Sequence, residues 1–197
     1  MIKLGAIAMC FNGYTFPSGK RFDSPLGNIG LVQASDIKCS GYLDLSLMIR
    51  LESKDAHEKF YLQEGDLVFL GRGCFIAAVV PKLHEPVMIA SPLIVIRLHR
   101  SDILPAYLSW VLNSQCAKHY FERSAQGTIL KAIGIKELVQ LDLSVPPVDK
   151  QKQIVQVKML NTQEQLLIQK IQNLKERQLT QALFQMTHQY DQTRTAV

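Results

Sequence analysis

Residue types that could support catalysis occur in this chain, but their spacing forms no known catalytic arrangement. No H-E-x-x-H motif or other metal-ligand spacing includes the five histidines, which are His57, His84, His99, His119 and His188. The chain lacks a G-x-S-x-G nucleophile motif and a G-x-x-x-x-G-K-S/T phosphate-binding loop. Glu64, Asp66 and Glu85 do not form the acidic cluster with a nearby lysine that a nuclease would use. We therefore predict no catalytic residue, no metal site and no cofactor bound by the chain itself.

Two short segments are superficially similar to catalytic loops but lack the residues that those loops need. Gly71-Arg72-Gly73 has neither the third glycine nor the following helix of a dinucleotide-binding loop. Residues 144–148 are similar to the loop with which amino-methyltransferases hold a flipped base. That loop needs Asp or Asn before its two prolines and an aromatic residue after them. Val145 and Val148 occupy these positions here, so this segment cannot carry out that chemistry.

The composition predicts a folded protein with a slightly basic surface. Apolar residues make up 47% of the 197 positions, which is enough to build a core, and the net charge is +5. The charge is spread out, with 15 Lys/Arg against 13 Asp/Glu up to residue 147 and 7 against 4 after it. A phosphate-binding surface would therefore have to be assembled by folding. The longest apolar run, Cys74–Val80, is too short to cross a membrane, so we expect a soluble, cytoplasmic protein with reduced, mostly buried cysteines.

Two adjacent prolines, Pro146 and Pro147, separate two different sequence patterns. The first pattern mixes strands and helices. It includes a hairpin of residues 67–70 and 74–80 around Gly71-Arg72-Gly73, and a helix that starts near Pro105 and continues to Phe121. The second pattern predicts one long helix from about Asp149, as N-cap, to about His188. The sequence therefore indicates an α+β domain followed by a long C-terminal helix.

Apolar residues in this helix repeat in the manner of a coiled coil. Leu160, Leu167 and Leu174 are seven residues apart, and Val157 and Ile171 belong to the companion series that Glu164 interrupts. Leu179 and Leu183 continue the apolar pattern on a shifted face. We expect these residues to pair with a partner helix: Val157, Leu160, Leu167, Ile171, Leu174, Leu179 and Leu183. The alternative is that the helix folds back onto the preceding domain.

The order and spacing of several motifs resemble the specificity subunit of type I restriction-modification systems over nearly the whole chain. The motifs are Leu4–Ala8 with Gly13–Pro17, Gly65–Phe69 with Arg72-Gly73, Pro105–Leu108 with Gln126–Thr128, and the helix start Val145–Ile154. Ala6 and Lys150 depart from acidic residues that are frequent in the family. Typical specificity subunits hold two recognition domains and two helices, whereas this sequence has one of each and no internal repeat.

The resemblance implies a half-subunit without catalytic activity. Residues 1–147 would form the target recognition domain, 148–190 the spacer and dimerisation helix, and 191–197 a flexible tail. A homodimer, with antiparallel helices, would read a palindromic, bipartite site in double-stranded DNA. The resemblance also implies a methyltransferase subunit that binds S-adenosylmethionine and a restriction subunit that uses ATP. Pairing with a different half-subunit stays open.

On this interpretation, side chains in predicted loops would contact DNA. Residues with suitable hydrogen-bonding groups are Lys20, Arg21, Gln33, Ser35, Arg72, Gln126, Thr128 and Lys131. Arg72 is the strongest candidate, because its flanking glycines would let the backbone approach DNA closely. The main alternative function is a protein-interaction adaptor that uses the long helix and does not bind DNA. A stand-alone DNA enzyme and an orphaned fragment are further alternatives.

Overall fold

In a computed structural model of the chain, most of the strands form two β-sheets. The structure describes residues 1–17, 24, 26–46, 48–52, 57–126 and 131–194, with side chains up to residue 185. Its strands are β1 (Ile2–Lys3), β2 (Ala8–Asn12), β3 (Ile29–Val32), β4 (Ile49–Leu51), β5 (Leu67–Leu70), β6 (Ile76–Val79), β7 (Val87–Ile89), β8 (Leu93–Leu98) and β9 (Asp142–Leu143). Its α-helices are α1 (Pro105–Leu112), α2 (Gln115–Ser124), α3 (Ile135–Leu138) and α4 (Val148–Arg194). The predicted α+β class with a long C-terminal helix is therefore confirmed.

The larger sheet is antiparallel and has the strand order β2-β8-β5-β6. The predicted hairpin is β5 and β6, with Leu67 opposite Val79 and Leu70 opposite Ile76. The smaller sheet has the order β4-β3-β7, in which β3 runs antiparallel to β4 and parallel to β7. A short pair, β1 with β9, brings the start of the chain beside residues 142–143.

The main core lies between the two sheets. Its buried residues come from both, and they include Val68 and Val95 of the larger sheet and Val32 and Ile89 of the smaller one. The smaller sheet is buried on its other face as well, where aromatic side chains cover Ile29, Leu31, Leu51, Met88 and Ala90. Because side chains alternate between the faces of a strand, β3 contributes to both clusters and is buried along its whole length.

The predicted helix from Pro105 to Phe121 is wrong in one respect, because the structure breaks it into α1 and α2. Ser114 ends the continuity, since its hydroxyl accepts a hydrogen bond from the Ala117 N–H and so caps a new helix. Asp149 is likewise not the N-cap of α4, because the helix already begins at Val148. Asp149 lies in the first helical turn, where a carboxylate interacts favourably with the helix dipole.

The side chain of Asn113 covers part of the outer edge of β6. Its amide oxygen accepts from the Ala77 N–H at 2.9 Å, and its amide nitrogen donates to the Ala77 carbonyl at 2.7 Å. The Ser109 hydroxyl donates to the same carbonyl at 3.2 Å. The side chain of the residue that caps the end of α1 thus takes the place that a neighbouring strand would occupy.

Gln151, in the first turn of α4, is fully buried and makes three hydrogen bonds. Its amide oxygen accepts from the Leu104 N–H at 2.8 Å, just before α1 begins. Its amide nitrogen donates to the carbonyls of Asp102 and Pro146, also at 2.8 Å. Since Pro105 and Leu104 start α1, this one amide joins the beginning of α1 to the beginning of α4.

Asp66, one of the three acidic residues that form no catalytic cluster, is paired with Arg97. Its carboxylate is 2% exposed and accepts two hydrogen bonds from the Arg97 guanidinium, at 2.8 and 2.7 Å. The Gln63 N–H donates to the same carboxylate. The hydrogen bonds from Arg97 to Asp66 raise the pKa of Arg97 above its usual value. The pair therefore ties β8 to the turn that precedes β5.

The prediction of mostly buried cysteines is wrong. Cys39, Cys74 and Cys116 are exposed, and only Cys10 is partly buried. Burial raises the pKa of the Cys10 thiol to about 11, so this thiol stays protonated at neutral pH. All four are free thiols.

The chain divides into two compact units, Met1–Gln153 and Ile154–Val197. The described part of the second unit is helix throughout, and the seven residues predicted to pair with a partner are all exposed there, by 50% to 67%. Within the described ranges, no helix combines the length and apolar character needed to span a membrane.

Candidate nucleic-acid interface

The tip of the β5–β6 hairpin meets residues 126 and 131–133, which lie far along the chain from it. The Gly73 N–H donates to the Lys131 carbonyl at 3.1 Å, and the Ile133 N–H donates to the Gly71 carbonyl at 2.7 Å. On the other side of the same short segment, Ala132 and Gln126 exchange two backbone hydrogen bonds, at 3.0 and 2.9 Å. Residues 131–133 thus form the middle of a small antiparallel arrangement.

This arrangement places Arg72, Ala132 and Gln126 side by side. Arg72 is paired with Ala132, which is paired in turn with Gln126. Directly opposed residues of antiparallel strands project from the same face, so all three side chains share one face. Arg72 and Gln126 are exposed and Ala132 is partly exposed. We call this surface, formed by Arg72, Ala132 and Gln126, the recognition patch. Lys131 directly precedes Ala132, so alternation places its side chain on the opposite face.

The hydrogen-bond pattern sets the spacing across the recognition patch. Arg72 and Ala132 form a pair of the non-hydrogen-bonded type, and Ala132 and Gln126 a pair of the hydrogen-bonded type. Such pairs have Cα separations of about 4.5 and 5.5 Å, which puts Arg72 and Gln126 about 10 Å apart. A guanidinium and a carboxamide therefore flank the small methyl group of Ala132.

The two glycines beside Arg72 are needed by the fold. A Cβ at Gly71 would lie 2.7 Å from the Ile133 carbonyl oxygen, closer than a carbon atom can approach. Gly73 has a φ of +75°, which side chains other than glycine rarely adopt. Both glycines allow the hairpin tip to reach residues 131–133. A close approach to DNA at the same glycines stays a prediction.

Aromatic side chains pack together on either side of the hairpin tip that carries Arg72. Phe69 of β5 and Phe75 contact Phe121 of α2, with ring centroids 5.2 and 5.5 Å apart. All three rings are buried. The backbone that carries Arg72 is thus anchored on both sides by buried aromatic residues.

Basic residues lie at the end of α2, next to the recognition patch. The Lys131 ammonium donates to the Glu122 carbonyl at 3.3 Å, in the last turn of that helix. Arg123, in the same turn, is exposed. Positive charge is favourable at a helix C-terminus, which gives Lys131 a structural role as well. Arg123 was not among the residues predicted from the sequence, although it lies only three residues before Gln126.

The side chain of Gln126 has a defined neighbour in Glu137 of α3. Its amide nitrogen donates to one carboxylate oxygen of Glu137 at 3.3 Å. The other oxygen accepts from the Gly134 N–H at 3.2 Å, which fixes the carboxylate at the start of the helix. The Tyr120 hydroxyl donates to the Glu137 backbone carbonyl at 2.8 Å. Glu137 was not predicted from sequence, although a Glu three residues after a helix start is a capping signal.

The remaining predicted DNA contacts are distributed elsewhere. Gln33 and Ser35 are exposed beside a short 3-10 turn, where the Gln33 N–H donates to Asp36 at 2.8 Å and the Ser35 hydroxyl at 3.2 Å. Both take part in closing that turn. Lys20, Arg21 and Thr128 lie outside the described residues. The structure therefore brings together Arg72, Gln126 and Lys131 from the predicted set.

A shallow cleft of about 670 Å³ differs from the recognition patch, because most of its lining residues are apolar and its two charged residues, Arg100 and Asp102, form an ion pair. Pro146, Pro147 and Val148 form one wall. The guanidinium of Arg100 hydrogen-bonds to Asp102 at 2.9 and 2.6 Å and lowers the pKa of that carboxyl. The charge of Arg100 is thus neutralised locally, which suits the cleft poorly to a polyanion. Across the described residues, no group of three or more His, Cys, Asp or Glu side chains is arranged to hold a metal ion.

Comparisons with known proteins find similarity in structure. No family model and no curated protein sequence matches the chain. A structure from work on complex assembly and conformational transition of the type I restriction-modification system matches 91% of the chain, with a TM-score of 0.67 and 19% identity. The HsdS subunit from Thermoanaerobacter tengcongensis matches 83%, with a TM-score of 0.55 and 18% identity. The type I restriction-modification S subunit from M. genitalium matches 80%, with a TM-score of 0.54 and 14% identity.

These matches establish which fold the chain shares. Its structural neighbours are type I restriction-modification specificity subunits, and the mixed sheets with a long C-terminal helix are common to them. The chain spans only part of each neighbour, covering 42%, 37% and 37% of their lengths.

Proposed function

We propose that this chain is a DNA-recognition subunit of a type I restriction-modification system. The observation that carries the proposal is the recognition patch, where Arg72 and Gln126 lie on one exposed face of a fold shared with specificity subunits. Arginine and glutamine are side chains that read base edges through paired hydrogen bonds. Lys131 and the neighbouring Arg123 have the charge to contact phosphates, which would fix the position of the domain on the duplex.

The chain would bind DNA and would not itself catalyse a reaction. In this proposal, S-adenosylmethionine belongs to a methyltransferase subunit and ATP to a restriction subunit, and the chain positions both partners at its DNA site. Base-edge contacts at the recognition patch would select the sequence, and backbone contacts would contribute most of the salt-dependent affinity.

Pairing through α4 would give one assembly that carries two recognition patches. The exposed apolar residues of this helix, spaced by seven, match the seam of a coiled coil. A pair of identical chains related by a two-fold axis would read a palindromic site in two parts. The observation in favour of a helical partner is the contiguous exposure of Leu160, Leu167, Ile171 and Leu174, each at least 50% exposed.

The single acidic residue in the seam favours an antiparallel pair. In a parallel, in-register pair, Glu164 would face Glu164 of the second copy, and like charges would repel in a partly buried layer. In an antiparallel pair centred between Leu167 and Ile171, Glu164 falls opposite Leu174 and beside Lys175 of the other helix. Opposite charges then meet, and Leu167 packs against Ile171 in the middle of the seam.

Arg72→Ala should weaken binding to a specific DNA site by about 1–3 kcal/mol, because a bidentate contact to a guanine is worth about that much. The site would first be selected with the unaltered chain from randomised duplex DNA, and dissociation constants would then be measured by fluorescence anisotropy. Arg100→Ala is the matched control, since it removes the same charge from the cleft beside Pro146. Equal affinity and equal sequence preference for Arg72→Ala and the unaltered chain would remove Arg72 from the DNA site.

Bound DNA should protect Cys74 from alkylation. This exposed thiol is two residues from Arg72, whereas Cys116 is exposed at the start of α2 and Cys10 is protonated and slow to react. We expect iodoacetamide labelling of Cys74, followed by peptide mass spectrometry, to slow several-fold relative to Cys116 when the selected duplex is added. Equal slowing of both thiols would indicate general shielding, and no change at Cys74 would place the DNA elsewhere.

The exposed apolar face of α4 also favours a second candidate, a protein-interaction adaptor without DNA binding. The two functions differ in their dependence on salt. A protein that neutralises several phosphates loses affinity for DNA by orders of magnitude between about 50 and 200 mM salt, whereas apolar helix pairing does not. If the chain does not bind duplex DNA even at low salt, the result would favour the adaptor.

A further inference from the structure

We infer that Gln126 reads an adenine in the major groove, and that Glu137 is the positioning residue that holds its amide in the required orientation. This inference rests on the proposed function, and it names the base that the recognition patch selects beside Arg72.

The hydrogen bond between these side chains fixes which end of the amide faces Glu137. A carboxylate accepts hydrogen bonds and does not donate them, so the Gln126 nitrogen, and not its oxygen, must point toward it. The carboxylate cannot easily turn away, because its second oxygen is held by the Gly134 N–H. The backbone of Gln126 is held as well, by its two hydrogen bonds to Ala132.

One N–H group and the oxygen of the Gln126 amide are left for a ligand. The amide nitrogen has two hydrogens, and Glu137 accepts one of them. Within the described residues, the side-chain amide of Gln126 makes no other hydrogen bond. Gln126 therefore offers one acceptor next to one donor, on the exposed face that it shares with Arg72.

Adenine has the complementary pattern. Its major-groove edge presents the N6 amino donor beside the N7 acceptor, so both groups of the amide would be satisfied at once. Guanine presents two acceptors, O6 and N7, and the oxygen of the amide would face one of them without a hydrogen. A fixed amide thus discriminates between the two purines, which a freely rotating amide would do less well.

The geometry also sets where this adenine lies relative to the base that Arg72 contacts. The backbones of the two residues are about 10 Å apart, and base pairs are stacked about 3.4 Å apart along DNA. The two contacts should therefore fall about three base-pair steps apart. Ala132, between them, has only a methyl group and leaves room for the edge of the groove.

The inference is tested by selecting DNA sites with variants of the full chain. Each protein would be used to select duplexes from a randomised library, and the base preference at each position would be read by sequencing. We expect the unaltered chain to select a motif with a fixed adenine that becomes degenerate with Gln126→Ala, while the other positions keep their preference. Affinity for the original site should fall by about 5- to 150-fold.

Two further variants distinguish a positioning role from a structural one. Gln126→Glu, made together with Glu137→Gln so that a donor still faces position 126, should move the preference at the same position from adenine to cytosine, because a carboxylate accepts from the cytosine amino group. Glu137→Gln keeps the size of the side chain but can donate as well as accept, so it should weaken the preference at that one position. A uniform loss of affinity with an unchanged motif would mean that Glu137 only stabilises the fold. The exposed Gln140, replaced by alanine, is the control and should leave the motif unchanged.

The outcomes separate this inference from the proposed function. A motif that is the same for Gln126→Ala and the unaltered chain, or one whose affected base is a guanine, overturns the reading of adenine by Gln126. If the unaltered chain selects no motif from the library, the proposed function itself fails.

Discussion

Gln151→Leu should destabilise the first compact unit by at least about 3 kcal/mol. Leucine fills nearly the same volume, but it leaves the Leu104 N–H and the carbonyls of Asp102 and Pro146 without the partner that now satisfies them. Each buried polar group that loses its partner costs about 1–3 kcal/mol. The measurement is chemical denaturation of the full chain, followed by the fluorescence of Trp110, the one tryptophan, which lies in α1 near this junction.

Gln153→Leu provides a closely matched control for this prediction. It makes the same chemical change two residues further along α4, where the side chain is exposed. Its effect should stay within about 0.5 kcal/mol, as for most surface substitutions. Similar denaturation midpoints for the two variants would mean that the three hydrogen bonds of Gln151 contribute little to stability.

Leu167→Glu should abolish the proposed pairing of α4 at micromolar concentrations. A pair of identical chains would lose two buried leucines, each worth about 1.5–3 kcal/mol, and would have to bury two carboxylates in the seam. A loss of 3 kcal/mol or more corresponds to a weakening of the dissociation constant by more than about 100-fold. Sedimentation velocity of the full chain would measure this as a change from dimer to monomer.

The control for Leu167→Glu introduces the same charge on another side of the helix. Gln169 is exposed and lies two residues further, about 200° around the helix axis, so Gln169→Glu should leave the dimer intact. Dissociation by both substitutions would point to a general effect of charge. A Leu167→Glu protein that stays dimeric would place the contact outside the predicted seam.

The sequence predicts most reliably what is local in the chain. The β5–β6 hairpin follows from two apolar runs around Gly71 and Gly73, and the long helix follows from its apolar repeat and the preceding prolines. The break between α1 and α2 was missed, because apolar residues continue through it on a helical period and only the Ser114 cap marks the end. A single residue that can cap a helix is weaker evidence for a helix boundary than a long periodic pattern is for a continuous helix.

The recognition patch could be predicted only in part. Arg72 was identifiable because its two glycines are adjacent in the sequence. Its alignment with Gln126 depends on Ala132, an ordinary small residue that is near Gln126 in the sequence but far from Arg72. The role of Glu137 depends on where its carboxylate points after folding. One sequence contains no signal for such contacts, since they arise from the tertiary structure.

The side chain of Asn113 on the edge of β6 bears on how copies of this protein can assemble. An open sheet edge accepts a strand from a second molecule, which can accept a third, so that growth has no natural end. The Asn113 amide occupies both backbone groups of Ala77 that such a strand would use. Association at that point of the sheet is blocked, whereas a two-fold contact between helices uses the same surface on both copies and stops at two. With this point of the sheet edge covered, the proposed pairing of α4 with the same helix of a second copy would give a finite assembly rather than a fibre.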